Sequence, residues 1–462
     1  EAISVNAVTT YNLQNLLLFM KGDYNPPLFN VILYLWLKIF PATEFFVRLP
    51  SLIFGLLTGI FIYKISKEIF TNHKIALLSL ILLITSPLHI FYSQEARMYS
   101  LAAFTVSGSM YYFVKLIRTK NLLSVVYYAL FTVLMLYSHY LTFFIIPLQW
   151  TYFFITQQYK SKKALLTYLT SQLLIVLFYI PWLPMLAKQL KIGQSTASGN
   201  VMWHQVVGDL SWKNLILLPV KFIIGRTSFD NKIVYGFLMV LILSLFSYLI
   251  WKALNCYFSR ARPAQLDRAR QDHTEPRSEF ELFVWMWLII PIIFGIIVSI
   301  KIPVLSYFRF LFCLPAFYIL ISKGITSSKH KYSILFAVLF INVFFSFRYL
   351  LNSKYHREDW KSAVNELHIL NPAKEKVLLI KNVSAPFEYY DKKESDMGFV
   401  EEKELYVNET TIWLIPYAQP IFDPQDTTRT YLKNKDFVRT YEKHFRGVTL
   451  EKWQKLVASR YN

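Results

Sequence analysis

The chain has 462 residues, of which 55% are hydrophobic, 18% aromatic and 17% charged, with a mean hydropathy of +0.35. Globular chains run nearer a quarter charged, so this composition excludes disorder, a collagen-like repeat and an ordinary soluble enzyme. It points to a polytopic membrane protein. The charge is unevenly spread: residues 352–462 hold 18 Lys and Arg against 17 Asp and Glu, and residues 1–351 hold 31 against 12. The expected organisation is a membrane domain over 1–351 and a separate, water-compatible domain over 352–462. The excess positive charge falls in the membrane part, which fits inward-facing loops rather than a nucleic-acid-binding patch.

A membrane helix needs ~20 mostly apolar residues. Runs of this kind cover 44–66, 75–92, 98–117, 121–138, 140–158, 164–187, 231–254, 280–300, 305–323 and 331–351. Two further apolar stretches, 26–40 and 213–226, are ambiguous by length. Charge decides between them. If 26–40 does not cross, the basic clusters at Lys64, Lys67 and Lys74, at Lys115, Arg118 and Lys120, and at Lys160, Lys162 and Lys163 share one face. So do the loop with Arg260, Arg262, Arg268, Arg270 and Arg277 and the group Lys323, Lys329 and Lys331. The positive-inside rule makes that face cytoplasmic. The 26–40 stretch is then a helix dipping into the outer leaflet, and 213–226 does not cross completely. Ten crossings follow. The chain opens on Glu1 rather than Met, so an eleventh helix is expected upstream. The tail, 352–462, falls on the outer side. Helical spacing over Trp360–Leu370 and strand-like runs at 376–380, 404–407 and 411–416 make it a small α/β domain. Cys256 and Cys313 form no spacing motif, so neither a disulfide nor a zinc site is expected.

Only twelve acidic residues lie in 1–351, and the outer side receives Glu1, Asp23, Glu44, Glu95, Asp209 and Asp230. Ionisable groups beside apolar spans are costly, so each calls for an explanation. Three constellations stand out. Glu1 and Asp23 form the first. Asp23 precedes Tyr24-Asn25-Pro26-Pro27, whose prolines favour a helix start, and it can take a proton from an incoming hydroxyl. The alternative is a polar turn before an interfacial helix. The second runs from Ser86 to Tyr99 at an outward hairpin and carries Glu95, Arg97 and Tyr99. An Arg there suits a lipid phosphate, because its planar fork binds phosphate oxygens in pairs. The alternative is an Arg reaching up to the interface beside a structural Glu. The third is His139-Tyr140 with Tyr307-Phe308-Arg309, again at outward helix ends. Arg309 is a second candidate phosphate ligand, its alternative again an Arg reaching up to the interface, and a lone His such as His139 is more often a satisfied interfacial residue. Asn382 and Asn408 match the N-glycosylation pattern, which is frequent by chance.

Taken together, the segments EAISVN, GDYNPPL, FFVRLPSLIFGLL, SPLHIFYSQEARMYSL, YSHYLT, SYFRFLFCLPA and HREDWKSAV resemble the bacterial and archaeal polyprenyl-phosphate-dependent glycosyltransferases of family 39. These are relatives of the protein O-mannosyltransferases and of the aminoarabinose transferase that modifies lipid A. The resemblance implies a GT-C fold: an all-α membrane bundle with catalysis at the outer face and a small α/β carboxy-terminal domain outside. It implies a multi-pass protein of the inner or plasma membrane. It also implies transfer of a sugar from a polyprenyl-phosphate carrier to an acceptor hydroxyl, glycan or lipid, with inversion. The family begins this region with Asp-Glu. Glu1 looks like the second member of that pair, and the first would precede it. Asn25 stands where the family commonly has His.

On this reading Arg97 and Arg309 hold the phosphate, with His139, Glu95 and Tyr99 beside them, while Asp23 and Glu1 orient and deprotonate the acceptor. No confident cofactor follows; some GT-C enzymes use a divalent cation and others none. Neither the sugar nor the acceptor can be read from the residues. Two rivals remain open: a lipid-linked sugar transporter, and an inactive lipid-binding scaffold.

Overall fold

The computed structural model describes residues 1–23, 25–199, 208–266, 277–406 and 408–456. Tyr24, Asp267, Arg268, Arg270, Asp272, Glu275 and Val407 lie outside the described residues. The chain divides into two compact units, one of residues Tyr11–Leu351 and one of Glu1–Thr10 with Asn352–Asn462.

In the larger unit, seven helices among the described residues are long and apolar enough to cross a membrane. They are Glu44–Phe70, Tyr99–Thr119, Lys162–Ile192, Lys232–Ser259, Phe280–Ser299, Tyr307–Thr326 and Lys331–Leu351. The pair His73–Ile84 and Pro87–Ser93, bent by 61°, is long and apolar enough when its two halves are taken together. The bend is written locally. The Ser86 side chain caps the second half through the backbone N–H of His89, and Pro87 at its first turn has no N–H to continue the first half. The two remaining expected spans, 121–138 and 140–158, are the shorter helices Leu122–Leu136 and Tyr140–Ile155. Fifteen residues rise about 22 Å, less than the hydrocarbon thickness of ~30 Å. The chain turns at Tyr137–His139, between the two helices, so these residues add no rise to either of them. The ambiguous stretches are short: Leu28–Trp36 has nine residues and Trp212–Ile224 thirteen.

Asn and Ser cap helix starts throughout. Asn72, Asn121, Ser161 and Ser211 each accept a hydrogen bond from a backbone N–H of the first turn. Helix Leu314–Thr326 is buried along almost its whole length. Gly324 lets it lie against the Leu249 carbonyl of the Lys232–Leu266 helix, where any Cβ would collide with backbone.

The smaller unit is a five-stranded sheet in the order β2-β1-β3-β5-β4. Its strands are β1 (Lys376–Leu379), β2 (Met397–Phe399), β3 (Thr411–Ile415), β4 (Phe437–Phe445) and β5 (Val448–Lys455). β1 pairs in parallel with β2 and β3; β3 with β5 and β5 with β4 are antiparallel. Helix Trp360–Leu370 covers one face through Trp360, Val364 and Leu367, packed with Val377, Trp413 and Leu450. Leu378, Ile412, Leu414, Leu432 and Trp453 fill the other face. Asn6 of helix Ala2–Thr10 donates to the Ala385 carbonyl at 3.0 Å, which ties the first residues into this unit.

One expected strand is corrected. Residues 404–406 lie in the 3-10 helix Val400–Tyr406 rather than in a strand. Its sequence, VEEKELY, lacks strand alternation, and Glu401 folds back to accept from the Lys381 N–H at 3.3 Å. The β4–β5 hairpin, absent from the expectation, completes the sheet.

Candidate functional site

The site builds up from three turns of the larger unit. The first holds Asp23. The 3-10 helix Met20–Gly22 ends there, the Asp23 N–H donating to the Met20 carbonyl at 3.2 Å. Asn25 donates its amide to the Asp23 carboxylate at 3.3 Å. Pro26 and Pro27 are buried. The first N–H after them, that of Leu28, donates to the Tyr137 carbonyl at 3.1 Å, which pins the turn to the neighbouring helix end.

The second turn, 94–98, links helix Pro87–Ser93 to helix Tyr99–Thr119. It is tight: the Arg97 N–H donates to the Glu95 carbonyl at 2.7 Å, and the Arg97 carbonyl accepts from Ser51 at 3.4 Å. This geometry overcomes the spacing that would separate the two side chains on a helix. Burial opposes the charge on Arg97, but the Tyr99 hydroxyl, Glu95 and Asp23 outweigh it and hold the guanidinium firmly protonated. Arg97 also hydrogen-bonds the Tyr99 hydroxyl. Glu95 keeps one buried carboxylate oxygen, Oε2, with no hydrogen-bond partner among the described residues.

The third turn carries His139, which begins the 3-10 helix Tyr140–Phe144. Its Nδ1 accepts from the Leu141 N–H at 3.2 Å, so the neutral ring carries its proton on Nε2. Burial, then the positive charges of Arg309 and Arg97, push the imidazole down to about 3. It is therefore a neutral donor across the physiological range. Its ring lies 6.0 Å from that of Tyr99. Arg309, in the 3-10 segment Tyr307–Cys313, donates to the Pro303 carbonyl at 3.1 Å and faces Tyr99 and Arg97.

Five sequence candidates thus converge with Asp23: Glu95, Arg97, Tyr99, His139 and Arg309. Glu1 belongs to the other unit, where its carboxylate pairs with Arg357 at 3.0 Å.

One side chain of the cluster was not anticipated. Arg226 follows the Trp212–Ile224 helix after Gly225, whose φ of +63° needs a glycine. Its guanidinium lies 4.6 Å over the Phe91 ring and faces Tyr92 and Tyr307, whose hydroxyls hydrogen-bond to each other. Lys221, one turn earlier in sequence, is buried and donates to the Thr227 carbonyl at 3.0 Å; burial first, then Arg226, pushes it down to about 8. The available signal was an Arg at the end of an apolar stretch, 213–226, on the side that also receives Arg97 and Arg309. Among the described residues no group of three or more His, Cys, Asp or Glu side chains is placed to hold a metal ion.

Residues 24–184 match the family model of the dolichyl-phosphate-mannose-protein mannosyltransferases. That segment carries Glu95, Arg97, Tyr99 and His139. Among solved structures, the chain is similar to ArnT from Cupriavidus metallidurans bound to undecaprenyl phosphate, with a TM-score of 0.58 at 10% identity over 94% of this chain and 88% of that one. The fold is that of the GT-C glycosyltransferases. The apo state of the same ArnT gives a TM-score of 0.56 at 10% identity over 93% of this chain and 87% of that one. The archaeal oligosaccharyltransferase AglB from Archaeoglobus fulgidus, in complex with an inhibitory peptide and a dolichol-phosphate, gives 0.50 at 11% identity, covering 93% of this chain and 66% of that one. No curated protein matches the chain by sequence.

Proposed function

We propose that this chain transfers a sugar from a polyprenyl-phosphate carrier to an acceptor hydroxyl, with inversion, at the outer face of the cell membrane, and that residues 352–462 form an extracytoplasmic domain. The observation that carries the reading is the meeting of a carboxylate, Asp23, with Arg97, Arg309 and neutral His139 in one cluster at the ends of apolar helices. Carriers of this class are bound in the similar folds, as undecaprenyl phosphate in one and dolichol-phosphate in another.

The step divides among these residues. The bond between the anomeric carbon and the phosphate oxygen breaks, and the polyprenyl phosphate leaves with the electron pair. Arg97 and Arg309 stabilise that growing charge, and His139 adds a donor without adding charge. The acceptor oxygen attacks the opposite face of the sugar and its proton passes to Asp23. Glu95, with its unpartnered oxygen, accepts hydrogen bonds from the sugar hydroxyls. Arg226 extends the cationic surface along the carrier's path. Glu1, held by Arg357, is assigned no step.

The test uses purified full chain in lipid nanodiscs. Undecaprenyl-phosphate mannose, glucose and galactose serve as donors, and a Ser/Thr peptide, lipid A and a cell-wall oligosaccharide as acceptors. Turnover of one pair is expected, lost by about 10²-fold or more in Asp23→Ala and in Arg97→Ala. Carrier movement across the bilayer without bond transfer would establish a transporter instead. Carrier binding with neither activity would establish a scaffold.

A further inference from the structure

The turn that presents Asp23 is gripped from a distant part of the chain. The side-chain amide of Gln189, on helix Leu183–Gly199, donates through Nε2 to the Met20 carbonyl at 2.6 Å and to the Asn25 carbonyl at 3.4 Å. These carbonyls bracket Asp23 on both sides. Gln189 is 3% exposed, and its Oε1 accepts from the Tyr140 hydroxyl. That hydroxyl in turn accepts from the Trp182 indole N–H at 3.2 Å. Tyr140 directly follows His139 and lies within electrostatic reach of Asp23.

The arrangement has a definite polarity. The indole can only donate, so the hydroxyl uses its proton toward Gln189 Oε1, and the amide must then turn its NH2 to the acidic turn. A primary amide supplies the acceptor and both donors; a carboxylate or a hydrocarbon of the same length does not. The prolines at 26 and 27 contribute no N–H to the turn, which raises the weight carried by this outside contact.

We infer that Gln189 is a positioning residue for the transfer step: it holds the Met20 and Asn25 carbonyls on either side of Asp23 so that the Asp23 carboxylate meets the acceptor hydroxyl. The inference rests on the assignment of Asp23 as base. Through Trp182 and Tyr140 the clamp also ties the acid's position to the seating of helix Leu183–Gly199. A misplacement of about 1 Å costs on the order of 10²-fold in rate, so loss of the clamp acts on the chemical step more than on donor capture.

The experiment measures kcat and the donor KM with the donor–acceptor pair that turns over in the unmodified chain. Gln189→Leu is expected to lower kcat about 10²-fold with the donor KM within about threefold. Tyr140→Phe removes the proton that orients the amide and is expected to lower kcat about tenfold in the same pattern. The deciding comparison is the double variant with Asp23→Ala. If Gln189 acts through Asp23, Asp23→Ala/Gln189→Leu is no slower than Asp23→Ala alone. Losses that multiply, a kcat for Gln189→Leu near that of the unmodified chain, or a loss confined to KM overturn the clamp while leaving Asp23 as base. An Asp23→Ala variant with full activity overturns the base assignment and the clamp together. Should Gln189→Leu fail to accumulate in folded form, Tyr140→Phe is carried through the same cycle and decides the matter.

Discussion

Two buried polar clusters of the helical unit are built on opposite principles. One lies mid-bundle: Tyr128 donates to Gln149 at 2.8 Å, Gln149 to Ser109 at 3.1 Å, Ser109 and Thr132 share a hydrogen bond of 2.8 Å, and Gln172 donates to Tyr128 at 3.2 Å. Every member is neutral and each finds its partner inside the group. The other, around Arg97, is charged and open: two guanidinium groups face each other's field, a carboxylate oxygen of Glu95 has no hydrogen-bond partner among the described residues, and a histidine is held neutral. A closed neutral network stabilises helix packing and needs nothing further. An open charged one keeps buried charges and donors available to a ligand of complementary charge. That difference, more than burial or polarity alone, is the reason the cluster around Arg97 is proposed as the site and the neutral one is not.

The contrast can be broken most directly at Arg97. Arg97→Lys keeps the charge but loses the two-pronged geometry. Transfer is expected to fall by about 10²-fold with the thermal midpoint nearly unchanged. A variant as active as the parent would mean that charge alone suffices and the cluster is not shaped for phosphate.

His139 sharpens the contrast through pH. Its folded-state pKa of about 3 lies below the ordinary 6.5. Between those values the unfolded chain binds the proton and the folded one does not, so stability is full above pH 6.5 and falls as the pH drops toward 3. Thermal inactivation followed across this window should steepen in acid for the unmodified chain and flatten in His139→Gln. Identical profiles would show that another group governs acid lability.

The smallest effect belongs to the mid-bundle network. Gln149→Leu should cost ~0.6–2 kcal/mol of stability and leave transfer within about twofold of the parent. A large loss of activity with intact folding would show that the neutral cluster reaches the chemistry.

Much of the architecture was legible because hydrophobic thickness is a one-dimensional requirement. Runs such as 44–66, 164–187 and 331–351 are long enough to register whatever surrounds them. The Leu122–Leu136 and Tyr140–Ile155 helices are shorter than the runs 121–138 and 140–158 that announced them, because the chain turns at Tyr137–His139 and leaves the helix again after Ile155. In the smaller unit, β1 and β3 were visible as unbroken apolar runs buried on both faces. The β4–β5 hairpin was not. β4 is an edge strand with mostly exposed residues, and Arg, Glu, Lys and His occupy positions that a buried strand would give to Val or Ile. The 404–407 run looked like a strand only because four residues are too few to tell a strand from a tight helix.

Of the site, residue type and position at outward helix ends singled out Asp23, Glu95, Arg97, Tyr99, His139 and Arg309. Arg226 obeyed the same rule and was passed over in a long loop. Gln189 had no sequence signal at all: a glutamine on an amphipathic helix is ordinary until its partners are known.

What the residues determined by themselves was the solvent each segment requires and the few places where charge is affordable beside lipid. These follow from transfer free energies that add along the chain and need no partner. What only the tertiary structure decided was which of those charges meet. The hydrogen bond from Gln189 to the Met20 carbonyl spans 169 positions, and the field of Arg309 on His139 reaches across a similar length of chain. Such distances are set by how helices pack, and packing depends on side chains from several elements at once.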